Sequence, residues 1–305
     1  MFPAPVESSA APPATLPSRG NASLQMAITV DDLPRHGPLP PGQSRLQVHR
    51  DLIAALKKHG VPQVYGFANT SHIDEDPDLV QALQAWVGAG YPLGNHTHTH
   101  PHMRDIGVRA YLADLDANES KLAELSNEQQ DWRVFRYPFL EEGDNGEDAR
   151  AVRAHLDAKG YRVAEVTIDF YDWAFNDPYV RCLASGNQAG LDALRQTFLE
   201  HAAFTLRWAD AAARDLLGRP IPHVLLVHAG AFDAVMFDEL LTQYETMGVE
   251  FISLDQALAD PVYDIVEIPE GGVGGTLLEH LISVRGADHP PWFTHPYALL
   301  DAMCR

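Results

Sequence analysis

The amino-acid sequence alternates short apolar runs with longer amphipathic segments, beginning near residue 24. Apolar runs rich in β-branched residues are typical of buried strands, whereas apolar residues three and four positions apart are typical of helices. Strands are predicted at residues 24–30, 61–67, 91–95, 134–137, 161–168, 223–227 and 249–252. Helices are predicted at residues 43–59, 77–87, 108–125, 147–159, 191–217 and 232–247. This alternation predicts an α/β fold of parallel strands with helical crossovers, as either an open sheet or a barrel.

The two ends of the chain lack this alternation. Residues 1–23 are rich in Pro, Ala and Ser, which predicts a disordered leader, and they lack the basic start and apolar core of a signal peptide. Residues 261–305 are predicted to form an irregular tail that packs back on a domain of residues 24–260. Cys182 and Cys304 are the only cysteines, and they could form one disulfide or stay free.

Composition restricts the partners of this protein. The formal net charge of −20 argues against nucleic acid and against anionic membrane surfaces, which both repel an acidic protein. The chain has no run of eighteen apolar residues, so no transmembrane helix is predicted. No glycine-rich nucleotide-binding motif follows a predicted strand. The sequence gives no indication of an oligomeric state.

A histidine cluster is the first sign of chemistry. Four of the fifteen histidines fall within seven positions, at His96, His98, His100 and His102. In a helical turn, residues four apart share one face and could bind one metal ion. In a strand, all four would point the same way. The cluster therefore suggests a metal site, with both conformations still open.

Ionisable residues also follow five of the predicted strands. They are Asp31 with Asp32, His96, Arg136, Asp169 with Asp172, and His228. Each has an ordinary structural explanation when it is taken singly, such as a polar turn or a helix cap. Parallel α/β folds, however, build their sites at the carboxyl ends of the strands. The coincidence at five strand ends indicates a site.

These residues fit a metal-assisted hydrolysis. His96, His100 and one of the two aspartates, Asp31 or Asp32, could bind a first-row metal and leave positions open for water and substrate. The other aspartate could then act as a general base. His228 could act as the general acid, which completes the chemistry.

Three further residues could support this chemistry. Asp172 could orient His228 and hold it protonated. Arg136 could keep the basic aspartate charged. Trp173 could stack on the apolar face of a sugar ring.

At this point the sequence resembles the polysaccharide deacetylase family, carbohydrate esterase family 4. Five motifs match in order between Leu24 and Asp260. They are Thr29-Val30-Asp31-Asp32, His96-Thr97-His98-Thr99-His100-Pro101, Arg136-Tyr137-Pro138-Phe139, Asp172-Trp173 and Leu226-Val227-His228.

The resemblance implies a distorted (β/α) barrel with about seven parallel strands. It implies that Asp31 is the base and that Asp32 binds the metal with His96 and His100. It also implies that the backbone amide of Phe139 helps to bind the oxyanion. The expected metal is Zn²⁺, with Co²⁺ or Ni²⁺ as alternatives.

The resemblance further implies an acetylated glycan as the substrate, with N-acetylglucosamine units of peptidoglycan or chitin oligomers as the expected target. Such polymers lie outside the cytoplasm, so a periplasmic or extracellular location is expected, with a cytoplasmic one as the alternative. Leu33-Pro34 and Leu140-Glu141-Glu142-Gly143 stand where the family usually continues into glycine. These departures keep a small-molecule amide hydrolase open as an alternative. An acetylxylan-type esterase is a second alternative, because the same site would serve both reactions, and a non-catalytic glycan-binding module is a third.

Overall fold

A computed structural model describes residues 24–127, 130–291 and 294–305 of this protein. The leader predicted at residues 1–23 lies outside these ranges. The strands are β1 Leu24–Leu33, β2 Tyr65–Ala68, β3 Leu93–Asn95, β4 Val134–Phe135, β5 Glu141–Gly143, β6 Arg162–Val163, β7 Ile168–Asp169, β8 His223–His228, β9 Val249–Ile252 and β10 Val273–Gly274.

Helices fill most of the chain between the strands. The α-helices are α1 Arg45–Lys58, α2 Pro77–Gly88, α3 Met103–Ile106, α4 Val108–Leu125, α5 Gly146–Ala158, α6 Asn176–Ser185, α7 Gln188–Leu217, α8 Ala231–Thr246, α9 Leu254–Ala257, α10 Leu277–Arg285 and α11 Tyr297–Ala302. Short 3₁₀ helices span Pro138–Leu140, Asp172–Phe175 and Pro261–Asp264. The six predicted helices correspond to α1, α2, α4, α5, α7 and α8. None of the helices in the described ranges is both long and apolar enough to cross a lipid bilayer.

The main sheet is organised around β1. Its parallel strands follow the order β6-β4-β3-β2-β1-β8-β7, and β9 pairs with the amino-terminal part of β1. Apolar side chains on both faces bury β1, as expected of a central strand between helical layers. The register of β1 and β8 sets Asp31 directly beside His228. Two of the expected site residues therefore come together through strand pairing alone.

The two edge strands of this sheet, β6 and β7, are neighbours in the sequence. The sequence predicts a single strand at residues 161–168, but the structure has β6 and β7 there, at opposite edges of the sheet. Residues 164–167 join them: the Ala164 amide donates to Phe135 O at 2.8 Å, and the Thr167 amide donates to Val224 O at 3.0 Å. The sheet is thereby curled into the predicted distorted (β/α) barrel.

The C-terminal tail combines irregular stretches with regular elements. The antiparallel pair of β10 and β5 fixes one part of it, and α10 begins with a reciprocal cap between Thr276 and Glu279. Buried side chains of the tail join the main hydrophobic core: Leu277, Leu278, Leu281, Ile282 and Leu300. The structure also answers the open question about the two cysteines, because Cys182 on α6 is bonded to Cys304 near the chain end.

Candidate functional site

The end of β1 turns two neighbouring aspartates toward one cavity. On a regular strand, successive side chains point to opposite faces of the sheet. Asp32, however, has a left-handed backbone with φ of 61°, and the pairing of β1 with β2 shifts register between Val30 and Leu33. Such a conformation costs a non-glycine residue about 1–3 kcal/mol and persists where the surrounding structure enforces it. As a result, Asp31 and Asp32 line the same cavity.

The loop after β3 brings two histidines to Asp32. His96 Nδ1 lies 2.8 Å from the carbonyl oxygen of Arg136, which can only accept, so Nδ1 carries the hydrogen and Nε2 keeps its lone pair. His96 Nε2 lies 3.5 Å from Asp32 Oδ1, and His100 Nε2 lies 3.3 Å from the same oxygen. Asp32 Oδ1 is buried and has no hydrogen-bond partner among the residues that the structure describes.

This arrangement fits a divalent cation. Two imidazole nitrogens and one carboxylate oxygen converge, and together they could hold Zn²⁺, Co²⁺ or Ni²⁺. Burial, followed by the electrostatic influence of the neighbouring His96, lowers the pKa of His100 to about 4, which favours the neutral imidazole that a metal ligand requires. A cation would also give Asp32 Oδ1 the partner that the described part of the chain does not supply.

The histidine segment is neither a helical turn nor a strand. Thr97 and His100 both have positive φ, at 63° and 56°, and the Thr97 hydroxyl accepts a hydrogen bond from the His100 amide. The other two histidines have different partners. His98 Nδ1 lies 3.0 Å from Thr70 Oγ1, and His102 Nδ1 lies 2.9 Å from a Glu141 carboxylate oxygen. Thus His96 and His100 face Asp32, and these are the two histidines to which the resemblance gives a metal-binding role.

Asp31 forms a buried ion pair with Arg136. Arg136 Nη1 donates to both Asp31 oxygens, at 3.0 and 3.1 Å. The other guanidinium nitrogens donate to Thr29 Oγ1 and to the carbonyl oxygen of Ala164, in the segment that closes the barrel. Asp31 Oδ2 also lies 3.8 Å from His96 Nε2. A charged carboxylate is therefore held beside the histidine nitrogens, in a position suited to take a proton.

His228 is paired with Asp172 at the end of β8. Asp172 Oδ1 accepts from His228 Nδ1 at 2.9 Å, and Oδ2 accepts from the His228 backbone amide at 2.6 Å. Burial lowers the pKa of His228, but the charge and hydrogen bond of Asp172 raise it by more, so it stands well above the ordinary imidazole value. His228 is therefore a protonated imidazole that lines the cavity and can donate a proton there.

A second buried carboxyl group supports Asp172. Asp233, in the first turn of α8, is completely buried. Burial, together with the negative charge of Asp172, holds the pKa of Asp233 well above its ordinary value. Protonated Asp233 can therefore donate to Asp172 while Asp172 accepts from His228. Sequence analysis missed Asp233, which lies five residues after His228 on a different element.

Two cavities meet at Asp32 and His100. The larger, of about 350 Å³, contains the catalytic candidates, and the smaller, of about 240 Å³, extends toward Asn69 and His72. Phe139 and Trp173 stand at the larger cavity with 46% and 41% of their surfaces exposed. The walls of that cavity also include Asp169, Tyr171, Gly275 and Glu279.

Sequence analysis missed the wall residues contributed by the tail, because the tail carries no recognisable motif. It also gave His36 no part in the site. In the structure, His36 Nδ1 lies 2.8 Å from Asp32 Oδ2. In the sequence, His36 lies four residues after Asp32. That spacing indicates a contact only when the left-handed backbone of Asp32 is known.

Comparisons with known proteins show which family and which fold this chain resembles. A family model described as polysaccharide deacetylase matches residues 20–163. A curated relative, an uncharacterized 30.6 kDa protein in the fumA 3′ region of Geobacillus stearothermophilus, is 29% identical over 126 residues. That match covers 41% of this chain and 43% of the relative, so it spans less than half of either protein.

Solved structures show the same fold. The polysaccharide deacetylase Bc1974 from Bacillus cereus is 20% identical, with a TM-score of 0.51, and the match covers 76% of this chain and 92% of that one. BA3943 from Bacillus anthracis, described as a pseudoenzyme of carbohydrate esterase family 4, is 16% identical with a TM-score of 0.51. That match covers 77% of this chain and 66% of BA3943. At these identities the likeness concerns the fold alone.

Proposed function

We propose that this chain, whose residues 20–163 match the polysaccharide deacetylase family model, is a metal-dependent deacetylase of acetylated glycans. The proposed reaction hydrolyses the acetamide of N-acetylglucosamine units, in chitin oligomers or peptidoglycan, to a free amine and acetate. One observation carries the proposal: Asp32, His96 and His100 form a metal-binding group beside the Asp31–Arg136 and His228–Asp172 pairs. A glycan-binding module would need none of these paired charges.

Asp32, His96 and His100 would hold the metal ion, for which Zn²⁺ is our first choice. When bound, such an ion supplies Lewis acidity that polarises the acetyl carbonyl and makes water a better nucleophile near neutral pH. The chain's own residues then move the protons. Asp31 accepts the proton of the attacking water, and Arg136 keeps that carboxylate charged and oriented.

His228 completes the reaction. As the carbon–nitrogen bond breaks, it donates its proton to the departing amine, and Asp172 stabilises the imidazolium until that moment. The backbone amide of Phe139, a residue with a left-handed φ of 58°, would donate to the developing oxyanion. The exposed ring of Trp173 offers a surface on which a sugar can stack.

The two joined cavities favour a glycan over a small amide. Space on both sides of Asp32 and His100 could seat sugar units on either side of the reacting one. We also propose a periplasmic or extracellular location, where these polymers occur. The Cys182–Cys304 disulfide is in keeping with an oxidising compartment.

The test is a substrate comparison with the zinc-loaded protein. Acetate and free amine would be measured together on N-acetylated chitin oligomers, on peptidoglycan and on acetylxylan. We expect acetate and amine in equal amounts from one of the first two substrates. Acetate from acetylxylan alone would instead identify an O-acetyl esterase. The absence of acetate from all three would leave the binding module as the better interpretation.

A further inference from the structure

His36 lies on the side of Asp32 opposite to His96 and His100. Its Nδ1 lies 2.8 Å from Asp32 Oδ2, and the two side chains are only 17% and 18% exposed. Because a carboxylate can only accept, His36 Nδ1 is the donor. The two oxygens of Asp32 are thereby distinguished: Oδ2 accepts from His36, while Oδ1 faces His96 and His100.

The loop that carries His36 is anchored from two directions. Arg45 on α1 donates to the carbonyl oxygens of His36, at 2.7 Å, and of Gly37. Asn176 donates to the carbonyl oxygen of Pro38 at 2.9 Å, and its own side-chain oxygen caps the start of α8. A side chain at position 37 would collide with Asn176, and the φ of 56° there also favours glycine. His36 is therefore held in place before any ligand binds.

His36 also packs against the candidate acid. The ring centroids of His36 and His228 lie 4.8 Å apart, with an angle of 46° between the ring planes. The His36 side chain thus contacts both Asp32 and His228. A residue with both contacts can affect metal binding and proton donation together.

We infer that His36 is a positioning residue for Asp32, which selects the carboxylate oxygen that is offered to the metal. The inference rests on the proposed function, because it requires that Asp32 binds a metal ion. Outer hydrogen bonds of this kind orient metal ligands, and their loss weakens metal affinity roughly 10- to 100-fold. Without His36, the Asp32 carboxylate could rotate and would lose the preference for Oδ1.

A competing role is that His36 binds the metal itself. Ligand atoms of Asp32, His36 and His228 lie within 4.8 Å of one another, close enough to form an alternative group. That role would require His36 Nδ1 to release Asp32 Oδ2 or the metal to use Nε2, and it would also require His228 to give up its proton. The observed contacts favour the positioning role, and the experiment below separates the two.

The experiment measures zinc affinity by competition with a chromophoric chelator, on protein first freed of metal. His36→Ala should bind Zn²⁺ roughly 10- to 100-fold more weakly than the wild type. His36→Asn, whose amide can donate from the position of Nδ1, should recover most of the loss. His155→Ala is the matched control: His155 Nε2 makes a similar 2.7 Å contact with Asp116, away from the cavity, and its loss should leave the affinity unchanged.

Two further measurements make the outcome decisive. Circular dichroism of the metal-free proteins establishes that each variant is folded. X-ray absorption of the zinc-loaded proteins counts imidazole ligands, and we expect the same number in the wild type and in His36→Asn. Equal affinity of His36→Ala and wild type, or one imidazole fewer in His36→Asn, would overturn the inference. If the wild type itself binds no stoichiometric zinc, the proposed metal site fails and the inference fails with it.

Discussion

Arg136 and Asp31 form a buried ion pair in which a single guanidinium nitrogen contacts both carboxylate oxygens, at 3.0 and 3.1 Å. Removing one partner of such a pair leaves an uncompensated charge in the interior. Arg136→Met should therefore lower the free energy of unfolding by about 3–5 kcal/mol, measured by urea denaturation. The exposed pair of Arg162 and Asp255 provides the control, since Arg162→Met should cost about 1 kcal/mol or less.

The same pair predicts a non-additive double variant. Adding Asp31→Asn to Arg136→Met removes the stranded charge, so the double variant should be more stable than the sum of the two single changes implies. Strict additivity would mean that the two charges do not interact, despite the short distances.

Asp31 should be needed for turnover and not for metal. Asp31→Asn keeps the shape of the side chain but cannot take a proton, so kcat should fall by about 10²- to 10⁴-fold. Zinc content, measured by elemental analysis, should stay at the wild-type value because Asp32, His96 and His100 are unchanged. An active Asp31→Asn protein would show that another group is the base.

His96 and His100 should be needed for metal. Each places Nε2 within 3.5 Å of Asp32 Oδ1, so His96→Ala or His100→Ala leaves only two ligands of the proposed three. Both variants should lose zinc on dialysis, whereas His102→Ala, in the same segment but paired with Glu141, should keep it. Full zinc occupancy in either of the first two variants would contradict the ligand set.

Asp169 should make stability depend on pH. Burial, followed by the negative charge of Asp172, raises the pKa of Asp169 from 3.8 to about 7. A raised carboxyl pKa means that the folded state holds the proton more tightly than the unfolded state. The contribution of Asp169 to the free energy of unfolding is therefore fully present below pH 3.8 and is lost as the pH rises through about 7. The melting temperature of the metal-free protein should therefore fall between pH 5 and pH 8.

The matched variant is Asp169→Asn, which keeps the oxygen that accepts from the Tyr171 amide. Its melting temperature should decline less over this pH range than that of the wild type. Asp157→Asn, an exposed change on α5, should follow the wild type. Parallel curves for Asp169→Asn and the wild type would refute a raised Asp169 pKa.

Much of the fold was predictable because its signal is local. Hydrophobic periodicity marked the six long helices and most of the strands, and charged residues at the strand ends marked the site. The split between β6 and β7 was not predictable, since a single strand-like run does not reveal that its two halves pair at opposite edges. The two tail helices are too short to give a clear periodic signal.

The contacts around the metal-binding group depend on backbone turns that sequence periodicity does not encode. The pairing of His36 with Asp32 requires the left-handed residue at Asp32 and the anchoring of the loop by Arg45 and Asn176. Asp233 comes close to Asp172 only because α8 starts beside the 3₁₀ helix at Asp172–Phe175. The position of a residue at a strand end therefore identified the principal residues of the site. It did not identify His36 and Asp233, which support them.

The Cys182–Cys304 disulfide should stabilise the fold through the tail. It links residues 122 positions apart. In the entropic treatment, closing a loop of this length lowers the conformational entropy of the unfolded chain and thereby stabilises the folded state by about 4–5 kcal/mol. Reduction, or the double change Cys182→Ser and Cys304→Ser, should lower the melting temperature in calorimetry. The double variant should not respond to reductant, which controls for other effects of the reagent.

The disulfide should also influence substrate binding more than chemistry. Gly275 and Glu279 of the tail line the larger cavity, whereas Asp31 and His228 belong to strands of the barrel. Loosening the tail should therefore raise KM for a glycan substrate several-fold while kcat changes little. Equal loss of kcat and kcat/KM in the double variant would mean instead that the tail holds the reacting groups in place.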